Sequence, residues 1–573
     1  MEKPNLQLNG LKFLPGFQRL LAYQPRWLRG DVLAGLTVAA YLIPQCMAYG
    51  ELAGVAPVAG LWAILPPMAI YAVFGSSPQM SIGPESTTAV MTAAAITPLV
   101  AGNSGAYAGL AALLACLVGL VCIVGYAARL GFLANLLSKP ILVGYMAGVA
   151  VIMMAGQLGK VSGIEIEANS VLGEVGEFLS KLPQAHGPTL LLSLLVLIFL
   201  FVIQRGFPRS PGPLLAVLMA TAAVWLFKLD TQGVDVVGDI PAGLPYFALP
   251  GISLQSMMPL LASAVGIAIV GYSDTVLTAR AFATRHHYKI DANQELLALG
   301  MANLGNGFMQ GFPISSSGSR TVIGDALGSK TQVFSLVAMG VVVVVLLFFR
   351  PVLAMFPTAA LGALVIYAAT KLIDIPEFVR LKRFRKSELA LALITTAGVL
   401  LTNLLVGVAI AVSLSVIELF ARITRPHDAV MGKVPGIAGW HDIDDWEEAK
   451  TIPGLVLYRY DAPLCFANVE DFKRRALAAM EAEATPVAWF VLNTEAIAEV
   501  DITAIDTLTE LHDELQARNI TFAMVRVKQD LYAQLRRSGL LDLITPERIY
   551  FSMKSAIAGF GARECEGKND PRG

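Results

Sequence analysis

The chain has 573 residues, 55% hydrophobic and 15% charged, with a net charge of −1. A soluble domain carries about 25% charged residues, so this composition places most of the chain in a membrane, and the near-zero balance excludes a partner held by bulk charge such as nucleic acid. The five cysteines, Cys46, Cys116, Cys122, Cys465 and Cys565, show no CxxC pair and no metal-ligand spacing, and read as inert thiols rather than a metal centre.

The first 30 residues are polar and basic, with Lys3, Lys12, Arg19, Arg26 and Arg29, and are expected to form a cytoplasmic segment (1–30) without a cleavable signal. Apolar character then runs from about Val32 to Ile423. A span needs about 20 apolar residues, and the region 31–423 holds about fourteen candidate segments. The clear ones are Val32–Ala53, Val58–Phe74, Tyr107–Tyr126, Ile141–Leu158, Thr189–Ile203, Leu214–Phe227, Gln332–Phe349 and Pro357–Leu372. The run Glu388–Ala421 has 34 residues. At 1.5 Å per residue it would reach about 51 Å against a core of about 30 Å, so it reads as two helices turning near Asn403 and Gly407. Basic loops (Arg205–Arg209, Arg280–Lys289, "RLKRFRK" at 380–386) and acid-rich loops (Gly159–Gly187, Lys228–Ser256) fall on opposite sides if both termini are cytoplasmic, as an even number of spans requires. The "RLKRFRK" run reads as an anchor at the lipid surface, and no chemistry is assigned to His286 and His287 in their basic loop.

From Thr424 the chain reads as soluble. Residues 424–452 are charged and rich in Pro and Gly, and are expected to be a linker. Residues 453–562 alternate strand signals ("GLVLYRY", "VAWFVLN", "ITFAMVRV") with amphipathic helices, which implies a small α/β domain with a mostly parallel sheet. Residues 563–573 read as a flexible tail.

Two segments break the apolar pattern in the same way. "SIGPESTTAVMTAAA" (81–95) and "GFPISSSGSRTVIGDAL" (311–327) each have a proline, a hydroxyl cluster and a short apolar helix. Proline suits the first helical position and Ser or Thr the cap, so both read as helices that start abruptly and are too short to cross a bilayer. Pro84 and Pro313 are 229 residues apart, as are the polar residues Gln45 and Asp274. This suggests two inverted halves, about 31–250 and 255–423, with seven segments each, the pattern that points to a transporter site near the midplane. A helix N-terminus carries roughly half a positive charge and unpaired N–H donors, so two facing ends make an anion site. Hydroxyls of Ser86, Thr87, Ser317 and Ser319 would add donors. Arg320 would add a fixed positive charge that is costly in a membrane unless paired or hydrated.

These residues resemble a known family. "AYLIPQCMAYGELAGVAPVAGLWAILPPMAIYAVFGSSPQMSIGP" (40–84) resembles the first spans of the SulP sulfate-permease family, relatives of prestin and pendrin. "DANQELLALGMANLGNGFMQGFPISSSGSR" (291–320) with "GSKTQ" (328–332) resembles its second-half signature, and "EVDITAIDTL" (499–508) its C-terminal STAS domain. The resemblance implies an α-helical multi-pass membrane protein of fourteen segments in a 7+7 inverted repeat, with a core domain moving against a gate domain in an elevator-like way and a cytoplasmic α/β STAS domain behind it. Carried over by motif, the substrate-binding residues are Gln45, Tyr49, Glu85, Ser86, Ser317, Gly318, Ser319 and Arg320, with Asp274 and Glu85 as candidates for proton or cation coupling. The chain departs from many animal members at Glu85, where they have an apolar or aromatic residue. A homodimer in a bacterial inner membrane is the expected assembly, with lipid around it and a cytosolic partner for the STAS domain.

The expected function is secondary active import of a small inorganic oxyanion, with sulfate by proton symport first. Sodium-coupled bicarbonate transport and proton-coupled C4-dicarboxylate transport are the alternatives. Glu85 and Asp274 supply up to two negative charges against one positive from Arg320, so a divalent anion binds best with at least one acid protonated; Asp274 is the first choice for the coupling proton and Glu85 the second. A sodium ion at Asp274 would also suit oxygen ligands. Gln45 and Tyr49 lie four apart on one helix face and would close one side of the pocket. No cofactor is expected beyond the coupling ion, H+ or Na+. An enzyme is not expected, since there is no metal cluster, nucleophile–base pair or phosphate loop. A STAS-based signalling anchor and an anion channel or voltage-driven motor are readings from other classes. Thr503 sits where bacterial STAS regulators are phosphorylated on serine, though capping a helix is the ordinary role of such a residue.

Overall fold

The computed structural model describes residues 13–100, 106–135, 138–168, 170–207, 210–241, 243–250, 254–402 and 404–567. Lys3, Lys12, Asn403 and the side chain of Cys565 lie outside what it describes. The chain divides into two compact units, Met1–Ser415 and Val416–Gly573.

The first unit begins with α1 (Pro15–Leu21), α2 (Leu28–Leu52), α3 (Pro57–Trp62) and α4 (Leu65–Phe74). Strand β1 (Ile82–Gly83) leads into α5 (Ser86–Val100), followed by α6 (Tyr107–Ala127), α7 (Lys139–Ala155), α8 (Leu158–Ser162), α9 (Val171–Lys181), α10 (Gly187–Gly206) and α11 (Gly212–Phe227). The order then repeats. It runs through α12 (Leu254–His286), α13 (Ala292–Phe308), strand β2 (Ser315–Ser316) leading into α14 (Gly318–Ala326), and α15 (Val333–Phe348) with α16 (Arg350–Ala354). It closes with α17 (Thr358–Leu372), α18 (Ile375–Phe384), α19 (Lys386–Leu401) and α20 (Leu404–Thr424). Among the described residues seven helical stretches are long and apolar enough to cross a membrane, and α5, α11 and α15 are shorter apolar helices. The Glu388–Ala421 run is two helices, as its length requires; the first ends at Leu401, and Gly407 lies inside the second.

The packing is exchanged between the halves. Helix α6 packs on α12 and α13, and its repeat mate α15 packs on α2 and α4. Helix α7 packs on α19 as α17 packs on α10, and α5 on α12 as α14 on α2. Strands β1 and β2 pair antiparallel, Ile82 opposite Ser316 and Gly83 opposite Ser315, as strands related by a two-fold axis perpendicular to them do. The helices fall into two sets. Helices α2–α6 and α12–α15 form a core set, and α7, α8, α10, α11, α17 and α19 form a gate set. The sets meet where α2 and α5 pass α7, α11 and α17. Close approach fixes α2 beside the site: a Cβ on Gly60 of α3 would lie 1.8 Å from the Cys46 carbonyl oxygen.

The structure corrects the expected helix starts. Neither Pro84 nor Pro313 is a first helical residue. Pro84 follows β1, Pro313 precedes β2, and α14 starts 232 residues after α5 (318 against 86) rather than 229. In the second half the backbone between Pro313 and α14 is spent on β2, so that hydroxyl run is part strand and part helix start, whereas in the first half β1 precedes Pro84 and Ser86 opens α5.

In the second unit, β3 (Asp428–Gly432), β4 (His441–Asp442), β5 (Leu455–Tyr460), β6 (Trp489–Asn493), β7 (Thr521–Val525) and β8 (Ile549–Tyr550) form one sheet of order β4-β3-β5-β6-β7-β8. Strands β5 to β8 are parallel and β3 and β4 antiparallel. Helices α21 (Val469–Glu481), α22 (Ile502–Ala517), α23 (Gln529–Arg537) and α24 (Leu540–Ile544) connect the parallel strands, and α25 (Met553–Gly567) follows β8. Apolar side chains fill both faces of the sheet, Val456, Phe490 and Leu511 on one and Leu457, Val491 and Phe560 on the other. The stretch expected to be a linker contains β3 and β4. Its "DAVMG" alternation buries Ala429 and Met431 against the sheet core. Helix α25 carries helical backbone past residue 562, where the domain was expected to end.

Candidate substrate site

The β1–β2 pair sets two helix N-termini against each other. Ser317 N donates to Ser81 O (2.9 Å) and Ser81 N to Thr321 Oγ1 (3.0 Å), which ties the start of α14 to the strand that feeds α5. The "GSKTQ" motif supports this from below. Gln332 Nε2 donates to the carbonyls of Ser77 and Met80 (both 2.9 Å), and Thr331 Oγ1 donates to the fully buried Asp31 of α2 (2.8 Å). The first N–H groups of a helix have no intrahelical partner, and the starts of α5 and α14 both border the gap between them.

That gap is a cavity of about 270 Å³ between the core and gate sets. The core side supplies Tyr41, Gln45 and Tyr49 from α2, Glu85, Ser86, Thr87 and Thr88 at the start of α5, and Asp274, Ser315, Gly318 and Ser319 from the second half. The gate side supplies Met146, Pro213, Leu364, Tyr367 and Lys371. Gln45 Nε2 donates to Tyr49 Oη (2.9 Å), Ser86 Oγ to Glu85 Oε1 (3.0 Å) and Ser316 Oγ to Asp274 Oδ2 (3.0 Å).

Of the residues singled out in the sequence, Gln45, Tyr49, Glu85, Ser86, Thr87, Asp274, Gly318 and Ser319 line this cavity, and Ser317 and Arg320 do not. Ser317 is buried at the N-cap of α14 with its hydroxyl 3.2 Å from that of Ser319. Arg320 is 1% exposed and lies behind the wall. Its Nη1 donates to Gln45 Oε1 (3.3 Å) and stands 3.8 Å from Glu85 Oε2, its Nε donates to Ser81 Oγ (3.4 Å), and its Nη2 has no hydrogen-bond partner among the described residues. The guanidinium therefore polarises Gln45 and Glu85, which in turn face the cavity. Sequence reasoning missed Tyr41, Thr88, Tyr367 and Lys371. Among the described residues Lys371 is the one basic side chain in the wall, and its place at the end of a predicted span was the available signal. Thr503 lies apart in the second unit, on the exposed side of α22. The cap of that helix is Asp501, whose Oδ1 accepts from Ala504 N (2.8 Å).

At the far end of α2, beyond the site, Glu51 Oε1 accepts from Lys160 Nζ of α8 (2.9 Å). This ion pair joins the core set to the gate set at the end of α2 away from Lys371.

A multi-pass helical unit with a cavity between two helix sets, followed by an α/β sheet unit, defines a membrane transport protein with a STAS domain. The chain belongs to the sulfate permease family, whose model matches residues 28–395, and the STAS domain model matches residues 448–556. It is 54% identical over 549 residues to the probable sulfate transporter Rv1739c of Mycobacterium tuberculosis (strain H37Rv), covering 96% of this chain and 98% of that one. It is 29% identical to the chloroplastic sulfate transporter 4.1 of Arabidopsis thaliana, covering 95% of this chain and 82% of that one. Among solved structures it shares the fold of murine Solute Carrier 26 family member A9, an anion transporter solved in the inward-facing state (TM-score 0.89, 22% identity, 98% of this chain and 96% of that one). It also matches the transmembrane domain of the cyanobacterial bicarbonate transporter BicA (TM-score 0.61, 23% identity, 67% of this chain and 98% of that one).

Proposed function

We propose that the chain is a secondary transporter that carries sulfate across the membrane together with protons. The observation that carries this reading is the cavity at two facing half-helix N-termini, with N–H donors and hydroxyls on the core side, Arg320 behind them and Lys371 across from them. Such a site selects a compact oxyanion by charge and by hydrogen bonds to its oxygens. The naming of the relatives as sulfate transporters supports the choice of anion. Gln45, Tyr49, Ser86, Gly318 and Ser319 hold the anion in this reading, and Arg320 supplies charge through Gln45.

The carboxylates of Glu85 and Asp274 and the cations of Arg320 and Lys371 balance in and behind the wall. A doubly charged anion then adds two uncompensated negative charges. A proton delivered to Asp274, with Glu85 held by Arg320 and Ser86, offsets one of them, which couples proton and anion movement. Elevator-like sliding of the core set past the gate set would carry the loaded site across. Lys371 is exposed and stands shortly before the basic 380–386 run in sequence, so the end of the cavity it marks, the mouth in this reading, faces the cytoplasm by the charge rule for loops.

The test is uptake of labelled sulfate by proteoliposomes with proton and sodium gradients imposed separately. Uptake driven by an inward proton gradient, and competed by unlabelled sulfate, is the expected result. Sodium-driven uptake of bicarbonate without sulfate competition would replace this reading with the alternative.

A further inference from the structure

We infer that Lys371 is the residue that meets the anion at the open mouth of the cavity and sets its charge preference on that face alone. The inference rests on the anion-transport reading above. Lys371 stands in the last turn of α17, exposed, and lines the cavity. Among the described residues no carboxylate lies within ion-pair distance of its ammonium, which rests 5.2 Å from the ring centroid of Tyr367, also in the wall. The ring is buried in the wall but Lys371 is exposed, and a solvated ammonium is held weakly enough by a ring to exchange that contact for an anion.

The other charges place it more sharply. The wall contains two carboxylates, Glu85 and Asp274, and Arg320 is shut behind it, so Lys371 is the cation that an entering anion can touch. Gly318 and Ser319, at the exposed start of α14, offer backbone and hydroxyl donors from the opposite side. Lys371 belongs to the gate set and those donors to the core set. When the core set slides, the anion travels with the donors and leaves Lys371 behind. The lysine at the other end of the seam, Lys160, is engaged by Glu51, so the two ends differ in the way a one-sided opening requires.

The experiment is sulfate transport by the full-length protein in oriented proteoliposomes, measured separately from each face. Wild-type protein that carries no sulfate from either face would remove the underlying reading, and that result is distinguishable from failure of this one. With active wild type, Lys371→Gln is expected to raise the half-saturation concentration by roughly five- to tenfold from the mouth-side face only. It should also flatten the ionic-strength dependence on that face and narrow the preference for sulfate over a monovalent anion. Lys371→Arg should keep the wild-type profile. Lys371→Cys should regain affinity with a reagent that adds an aminoethyl group and not with a neutral methylating one, and this holds the inference open to refutation if Lys371→Gln inserts poorly. Equal changes on both faces, no change on either, or equal rescue by the neutral reagent would overturn it.

Discussion

Helices α5 and α14 are repeat mates built on one plan, yet they carry opposite charges at their starts. Glu85 precedes α5, where a negative charge suits the positive end of the helix. Arg320 falls in the first turn of α14, where a positive charge is unfavourable, and its side chain leaves its own helix to reach Ser81, Gln45 and Glu85 of the first half. The scaffold kept its two-fold relation in the β1–β2 register while the charges diverged. The symmetry builds the candidate site and the asymmetry tunes it. One half-helix end provides exposed donors, and the other is governed by a buried cation borrowed from its mate.

Removing Arg320 should be the most damaging change. In Arg320→Gln, Glu85 loses its counter-charge in a partly buried place, and breaking such a pair costs about 3 kcal/mol, or about a hundredfold in affinity. Sulfate uptake at low concentration should fall by that factor, and the protein should melt earlier in detergent. The double variant Arg320→Gln with Glu85→Gln should regain thermal stability without regaining uptake. If the double variant melts as early as the single one, the two side chains are not acting as a pair.

Asp274 comes next. It is the second-half counterpart of the neutral Gln45 by position in the apolar run, so Asp274→Asn makes the two halves alike. Uptake driven by a proton gradient should drop by about tenfold, the effect of one ionisable contact worth about 1.4 kcal/mol. What remains should no longer fall as the pH on the loading side rises. Sign follows from symport: wild-type uptake is proton-driven and so declines with rising pH on that side, and a variant that binds no proton at this position loses the slope. Full pH dependence in Asp274→Asn would move the coupling proton to Glu85.

The sequence made the spans, the paired broken helices and the α/β tail legible, because hydropathy and abrupt helix starts are local signals. It placed Gln45, Tyr49, Glu85, Ser86, Asp274, Gly318 and Ser319 in one site through the repeat and the resemblance, and the cavity gathers them. It did not reveal that Arg320 stands behind the wall, since that depends on how β1 and β2 pair across more than 200 intervening residues. Strands of two residues each have no periodicity to read, which is why the helix starts shifted from the prolines. Lys371 was hidden by its place: it stands at the very end of a predicted span, just before the basic helix α18, and reads as a charge at the membrane edge. Strands β3 and β4 were hidden by the polar composition around them, and their partner β5 lies beyond it in sequence.

The smallest effect belongs to the far end of the seam, and it sharpens the contrast between one lysine engaged and one lysine free. The Glu51–Lys160 side chains are 17% and 33% exposed, so the ion pair is worth about 0.5–1 kcal/mol, enough to shift a two-state balance by roughly two- to fivefold. In Glu51→Gln the core and gate sets should separate more readily at that end, and the mouth beside Lys371 should be open for a smaller share of the time. A cysteine placed at 371 should then react more slowly with a water-soluble thiol reagent, by that same factor. Exchanging the charges, Glu51→Lys with Lys160→Glu, should restore the rate. An unchanged rate in Glu51→Gln, or no recovery on exchange, would show that the pair decorates the seam without holding it, and the one-sided opening would then have to come from the packing of α2 and α5 against α7, α11 and α17 alone.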